Sequence, residues 1–328
     1  MKWKNLFDNF KNNKILIIGD IMMDTYLIGK VDRISPEAPV PVVDIEERID
    51  KLGGAANVAL NIKELGATPI ICSIIGKDER GLELDNLLTK NGLTTKFIYK
   101  SSNRKTTNKI RIIGNNAQML RIDEETKTDI TNDMFEKLKE NIIYAIASNK
   151  IDSIIFQDYD KGVITKKLID YIISLSKKRN IPVYVDPKLR NFSLYKNIKI
   201  FKPNFNELKR GLNLTVTDKK ELLETGAKIL HDRGIEIVFV TLSENGIFIS
   251  YIKNEKIINK IIPGTVINVA DVSGAGDTVI SIISLLLIYN INIEKIAEIA
   301  NIAGGIVCEE VGVVPVNKDK LLDKIQSI

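Results

Sequence analysis

The chain has 328 residues, 44% of them hydrophobic, which is enough apolar material for one large core, and a single α/β unit is the expectation. A formal net charge of +5, spread along the chain, excludes a dedicated nucleic-acid binder but leaves room for a local basic cluster that meets a phosphorylated ligand. The longest apolar run, Val279 to Tyr289, falls short of the roughly 20 residues a membrane span needs, and the lysine-bearing start lacks a signal-peptide pattern, so a soluble, cytoplasmic protein with no membrane partner is expected.

In chain order, KILIIGD (Lys14–Asp20) reads as a buried strand, and Asp20 and Asp24 follow it as sugar-hydroxyl acceptors or loop acids. Arg33–Asp50 holds Pro36, Pro39 and Pro41, so it is extended but cannot be a central strand. Paired glycines then precede a helix marked by Val58, Ile62 and Leu65, with Asn57 placed to meet a hydroxylated ligand. TPIICSIIG reads as a strand and RGLELDNLLTKNG as a helix closing on Gly92. Thr94–Asp123 is polar and alternating, with a turn at Gly114–Asn116, which suits a hairpin. Its Arg104, Lys105, Lys109, Arg111 and Arg121 are either phosphate forks or a solvated face, and a period of two puts Lys109 and Arg111 on one side.

IDSIIFQD, IPVYVDP, IKIFKPN and IEIVFVTL are further short strands. Strands alternating with helices predict a mostly parallel sheet covered on both faces, with the two excursions (about 33–50 and 94–123) as a small second sheet or lid. Asp20, Asp24, Asp158, Asp186, Asn204 and Asp271 fall at or after strand ends, where open α/β sheets bind ligands, and are expected to converge on one crevice. His231, the lone histidine, excludes a multi-histidine zinc site and sits in ILHDRG as a surface or capping residue. Cys72 and Cys308 match no CxxC pattern and are expected buried and reduced.

The chemistry concentrates in DVSGAGDT. Glycines at 274 and 276 bare backbone amides at the start of an apolar helix, a nest for phosphate oxygens. Asp277, in the first turn, should stay ionised and can take a proton from a substrate hydroxyl; the alternative is an ordinary acidic helix start. In KPNFNE, Asn204 and Glu207 share one side of a helical turn, either organising magnesium through water or capping that helix. No GxxxxGK[ST] is present, and GDIMMD replaces a dinucleotide-binding GxGxxG.

GGAANVALNIKELG and DVSGAGDT, in this order, resemble the two signature regions of the ribokinase-like (PfkB) carbohydrate kinases, across essentially the whole chain. The resemblance implies one domain over 1–328, a three-layer α/β/α sandwich with a small β lid, using ATP and Mg2+. It implies Asp277 as catalytic base and Gly274, Ala275 and Gly276 as anion hole. Asn204, Phe205, Asn206 and Glu207 would form the magnesium–ATP region, with Thr241, Ser243, Asp271 and Asn301 also on the nucleotide side. Potassium would sit near Asp271 and Ser273, and lids would pair to make a homodimer.

RISPEAPVPVV, NRKTTNKIRI, QMLRID, QDYDKGV and VDPK narrow the resemblance to heptose 7-phosphate kinases, the kinase half of a bifunctional heptose enzyme. This implies phosphorylation of the anomeric hydroxyl of D-glycero-β-D-manno-heptose 7-phosphate for ADP-heptose and lipopolysaccharide core synthesis. Asp24, Gly54, Asn57 and Asp158 would hold the sugar, Lys109, Arg111 or Arg121 its phosphate, and Lys188 would lie near a phosphate. Alternatives are another sugar or sugar-phosphate kinase, a nucleoside kinase, or a catalytically silent sugar-phosphate binder. Asp160 and Ser243 stand where the family usually has glycine (DYGKGV, TLGENG), and Ser273 where it has threonine. With no HxGH motif in the chain, the nucleotidyltransferase activity is expected on another polypeptide.

Overall fold

The computed structural model describes residues 2–265 and 269–326, so Asn268, in the expected approach to the glycine loop, lies outside the described residues. Strand β1 (Lys14–Gly19) explains the layering. Its side chains alternate, and both sets are buried: Ile15 and Ile17 in one apolar cluster, Leu16 and Ile18 in another. A strand apolar at every position needs helices on both faces.

The parallel strands β1, β4 (Thr68–Gly76), β5 (Ile98–Ser101), β8 (Ser153–Gln157), β9 (Val183–Asp186), β10 (Ile200–Phe201) and β11 (Ile237–Thr241) are joined at one edge by β12 (Ile247–Lys253) and β13 (Lys256–Ile262). The order is β13-β12-β11-β10-β9-β8-β1-β4-β5, with only the β11–β12 and β12–β13 pairings antiparallel, so that β12 alone runs against the rest. That hairpin was not anticipated; its turn puts Asn254 and Glu255 at φ 49° and 62°, the handedness a two-residue hairpin loop favours.

Helices α1 (Lys2–Asn9), α2 (Ala55–Glu64), α3 (Glu79–Lys90), α8 (Ala275–Ile288), α9 (Ile293–Cys308) and α10 (Lys318–Gln326) cover the Ile15/Ile17 face. The other face is covered by α4 (Asn132–Ser148), α5 (Lys166–Arg179), α6 (Phe205–Gly211) and α7 (Lys219–Asp232). On α8, Ile280, Ile282, Ile283, Leu285 and Leu286 are fully buried, each worth roughly 1.5–3 kcal/mol in removed apolar surface. This anchorage fixes the helix whose first turn carries Asp277.

The lid is a four-stranded sheet, β3-β2-β6-β7, built from β2 (Ile21–Ile34), β3 (Pro41–Gly54), β6 (Asn108–Gly114) and β7 (Ala117–Glu124). It departs from the expected boundaries at both ends. The chain enters it at Ile21, because β2 pairs with β3 along nearly its whole length, and the prolines fall at the tip and on an edge strand. The expected second excursion splits: Ile98–Ser101 pairs with β4 in the central sheet, and only the hairpin turning at Asn115 and Asn116 belongs to the lid.

His231 is buried, not at the surface, between the Ile235 carbonyl (2.7 Å) and the Ser250 hydroxyl (2.8 Å). Its helix ends against β12, which supplies that hydroxyl. Both cysteines are buried and unbridged. Among the described residues no helix is long and apolar enough to cross a membrane.

Candidate active site

Helix α8 is capped at its start by Gly274, whose φ of +82° is left-handed and whose missing Cβ matters: one built there would come within 2.8 Å of Asn57 Nδ2. That close approach lets Asn57, from the first turn of α2, donate to Asp277 Oδ2 at 2.7 Å. Two groups at the end of β8 meet the other oxygen: Tyr159 OH donates to Oδ1 at 2.7 Å and Gln157 Nε2 at 2.9 Å. Asn57 is itself held by Asn61, which donates to its side-chain oxygen, while Asn61 Oδ1 accepts from Thr278 Oγ1 and from the Val316 amide. Asp277 is thus held by three donors from two neighbouring elements.

Its charge is contested. Burial pushes the carboxyl up to about 7; Asn57 and Tyr159 pull down, Asp186 pushes up, and Lys202 pulls down. Burial thus works against the ionised aspartate expected from sequence, because three donors and a helix N-terminus do not fully offset desolvation beside a second carboxylate. Gln157 Nε2 bridges the two acids, donating to Asp186 Oδ2 at 3.1 Å, and Lys202 Nζ lies 3.0 Å from the same oxygen.

These groups line one side of a cleft of about 700 Å³ at the carboxyl ends of the strands. Gly274, Ala275, Gly276, Asp277, Tyr159, Asp186, Lys188, Lys202, Asn204, Glu207, Thr241, Ser243 and Asn301 all border it. The Ala275 amide turns back to Val272 O at 3.3 Å, whereas those of Gly274 and Gly276 have no acceptor among the described residues. Lys188 pairs with Glu207 and lies over the Tyr159 ring; burial lowers its proton affinity, but Asp186 and Glu207 more than offset this and hold it well above the ordinary lysine value. A larger depression, about 1270 Å³, opens at the opposite strand ends, away from Asp277.

Other expected residues are used differently. Asn204 and Glu207 form a reciprocal cap on α6, each side chain taking the other's backbone N–H at 2.8 Å, and both residues also border the cleft. Phe205 packs against the core under Lys219 and Asn206 is exposed; neither borders the cleft, since successive helical residues point in different directions. Asp158 is fully buried, accepting from Asn191 Nδ2 (2.9 Å), Tyr195 OH (3.0 Å) and the Asp160 amide (2.9 Å), and it faces the core instead of a sugar. Asp20 accepts the amides of Tyr159, Lys161 and Val163 and so fastens the loop that carries Tyr159. Asn301 donates to Ile262 O and Pro263 O.

On the lid, Asp24 pairs with Arg111, Lys109 lies between Asp123 and Glu125, and Arg121 forks onto Asp123. Arg104 is a structural donor to the carbonyls of Thr126 and Thr128. Gly54, at φ +60°, opens α2 directly below Asp20 O. Asp271 accepts from the amides of Ser273 (2.9 Å) and Gly312 (3.0 Å); burial opposes ionisation there, but these bonds hold the carboxyl below its usual range. The two departures from glycine share one feature: Asp160 and Ser243 both adopt left-handed backbone, φ 55° and 54°. The glycine conformation survives without the glycine.

Asp186 is one of the strand-end acids expected at the crevice and does border it, whereas Gln157, Tyr159 and Lys202 were not picked out as site residues from sequence. Their only signal was position, each at or just beyond the carboxyl end of a parallel strand.

A sandwich with a β lid, and a carboxylate held at a glycine-led helix start beside a deep cleft, defines a ribokinase-like sugar kinase. The chain belongs to the pfkB family of carbohydrate kinases, whose family model matches residues 12–320. It is 36% identical to the bifunctional protein HldE of Helicobacter hepaticus, over 97% of this chain and 64% of that protein. It is 38% identical to that of Aliarcobacter butzleri, over 97% and 65%. The chain thus spans somewhat under two thirds of the length of these curated relatives. Among solved structures, phosphofructokinase-2 from Escherichia coli in complex with potassium superposes with a TM-score of 0.77 (19% identity; 95% and 97% coverage). Arabidopsis thaliana ribokinase complexed with ribose and ATP gives 0.70 (18% identity; 95% and 98%).

Proposed function

We propose that this kinase transfers the γ-phosphoryl group of ATP to the anomeric hydroxyl of D-glycero-β-D-manno-heptose 7-phosphate, giving the 1,7-bisphosphate used in ADP-heptose and lipopolysaccharide core synthesis. The observation that carries the reaction is Asp277, buried, bonded on both oxygens and set in the first turn of α8 beside the uncovered amides of Gly274 and Gly276. The heptose-kinase strings in the sequence and the HldE relatives favour the substrate.

In this reading the sugar hydroxyl enters against Asp277, displaces one of its donors and is aligned with the γ-phosphorus. The hydroxyl oxygen forms the new P–O bond, the bond to the ADP oxygen breaks, and the hydroxyl proton passes late to the carboxylate. Amides of Gly274 and Gly276 and the ammonium groups of Lys188 and Lys202 face the charge on the phosphoryl oxygens. Asp186 and Glu207, hard oxygen groups on the cleft wall, fit magnesium held through water and nucleotide phosphates, where it would neutralise phosphate charge. No cluster of three acidic, histidine or cysteine side chains caging a metal is found among the described residues, as this mode of binding requires none. The ionised Asp271 beside the glycine loop suits potassium. Asp24, Gly54 and Asn57 remain on the sugar side, with Lys109, Arg111 or Arg121 for the 7-phosphate.

A homodimer through the lid is part of the proposal. Cross-strand pairing puts Ile110 beside Ile122 and Ile112 beside Leu120 on the lid face opposite Asp24 and Arg111, and Leu120 is 55% exposed. Such an apolar sheet face calls for cover. The deciding experiment offers both anomers of the heptose 7-phosphate with ATP. Consumption of the β anomer, and its loss by about 10²–10⁴-fold in Asp277→Asn, supports the reading. Turnover of other sugars alone, or of none, refutes the substrate or the reaction respectively.

A further inference from the structure

Ten arginines divide unevenly by partner. Arg33, Arg48, Arg80, Arg111, Arg121 and Arg190 meet carboxylates, and Arg104 meets carbonyls. Of the remaining three, Arg210 and Arg233 border the same surface depression, about 590 Å³, together with Ser193, Asn213, Gly211, Leu189 and Leu212. No acidic residue lines it. Arg233 borders the depression and its Nη1 is buried without a hydrogen-bond partner, which for a charged donor costs about 1–3 kcal/mol or more. The side chains of Ser193 and Asn213 also donate to nothing among the described residues.

The backbone is built around this spot. The Arg233 carbonyl accepts the Asn197 amide at 3.0 Å, the Arg210 carbonyl accepts that of Asn213 at 3.2 Å, and Gly211 lies so close to the Phe192 ring that a Cβ would stand 2.4 Å from it. Two guanidinium groups held in one depression without a counter-ion repel each other, and a ligand with several negative oxygens removes both the repulsion and the orphaned donor.

We propose that Arg210 and Arg233, with Ser193 and Asn213, form a second anion site for a phosphate group, free or carried by a small metabolite, and that its occupancy is felt in the nucleotide cleft. The link is short. Helix α6 runs from Asn204 and Glu207 on the cleft wall to Arg210 and Gly211 at the depression, and Leu189 follows Lys188, which pairs with Glu207.

The test is calorimetric titration of the full chain, saturated with magnesium and a non-hydrolysable ATP analogue, using inorganic phosphate in one arm and glycerol 3-phosphate in the other. Binding in either arm that weakens at least about tenfold in Arg210→Gln and in Arg233→Gln, but not in Arg179→Gln, establishes the site; the stronger arm identifies the source. Because Arg233 caps α7, the more exposed Arg210→Gln decides if Arg233→Gln fails to fold. Phosphate binding unchanged in Arg210→Gln overturns the site. For the coupling, phosphate should shift the affinity for the ATP analogue in wild type and not in Arg210→Gln; a shift that persists in the variant overturns it. Neither readout needs turnover, so the result stands apart from the substrate assignment.

Discussion

Tyr159→Phe isolates what sets the charge of Asp277. The substitution deletes one 2.7 Å hydrogen bond to Oδ1 and leaves the ring beneath Lys188 in place. A hydrogen bond to an ionised carboxylate is worth about 1.5–3 kcal/mol, and one pKa unit is 1.36 kcal/mol, so Asp277 should gain about 1–2 units of proton affinity. Gln157 still donates to the same oxygen at 2.9 Å and water can enter, so the lower figure is the expectation. Burial already pushes this carboxyl up to about 7, and its acid limb should therefore move upward into the alkaline range. The assay is kcat/KM for the sugar substrate across the neutral range, since that ratio reports the free enzyme, with kcat and KM resolved separately. The acid limb should shift up while the rate at high pH is retained, and KM for the sugar should fall, because the incoming hydroxyl no longer competes with the phenol for Oδ1. A variant with full activity and an unmoved acid limb would refute this account of Asp277.

Other outcomes follow from the same geometry. Asp277 and Asp158 are both raised from 3.8 to about 7, so the folded protein keeps protons that the unfolded chain has released; the stability this confers is complete below about pH 4 and is lost as pH rises through 7, by up to about 4 kcal/mol per group. Urea unfolding of Asp277→Asn should accordingly show a shallower loss between acidic and neutral pH than wild type, and an identical slope would count against it. Asn57→Ala should lower kcat more than it raises KM for ATP, since it frees Asp277 Oδ2 and breaks the link to Asn61; steady-state kinetics decides. Ser243→Gly should stabilise the fold by about 1 kcal/mol by relieving left-handed backbone at φ 54°, measured by denaturation, with Asp160→Gly gaining less because aspartate tolerates that region better. Leu120→Lys, on the exposed lid face, should leave a monomer in sedimentation, whereas an unchanged oligomer would remove that face from the interface.

Features that depend on periodicity were legible from sequence. Continuous apolar runs such as KILIIG required helices on two faces, and the two core clusters divide β1 in that alternating way. The GAGD segment was legible because glycine at 274 has a backbone cause and Asp277 sits within one turn of it. Asn57 was readable as a polar residue in the first turn of a glycine-led helix.

What escaped the sequence is how partners divide the polar groups. Asp158 and Asp277 look alike in the chain, each an acid near a glycine at an element boundary, and both are pushed to about 7 by burial. They differ in who donates to them. Asp158 is saturated by Asn191 and Tyr195, both from the segment after β9, which seals it inward, whereas Asp277 takes its donors from α2 and the end of β8 and keeps an edge on the cleft. The lid cations obey the same logic: Lys109 and Arg121 find acids one strand away or on the same strand, so a phosphate must compete with those carboxylates for charge that a sequence count leaves available. A carboxylate's role is fixed by the tertiary contacts that compete for its lone pairs. A sequence read without its partners can therefore locate the acids at strand ends and still not say which of them remains open to a substrate.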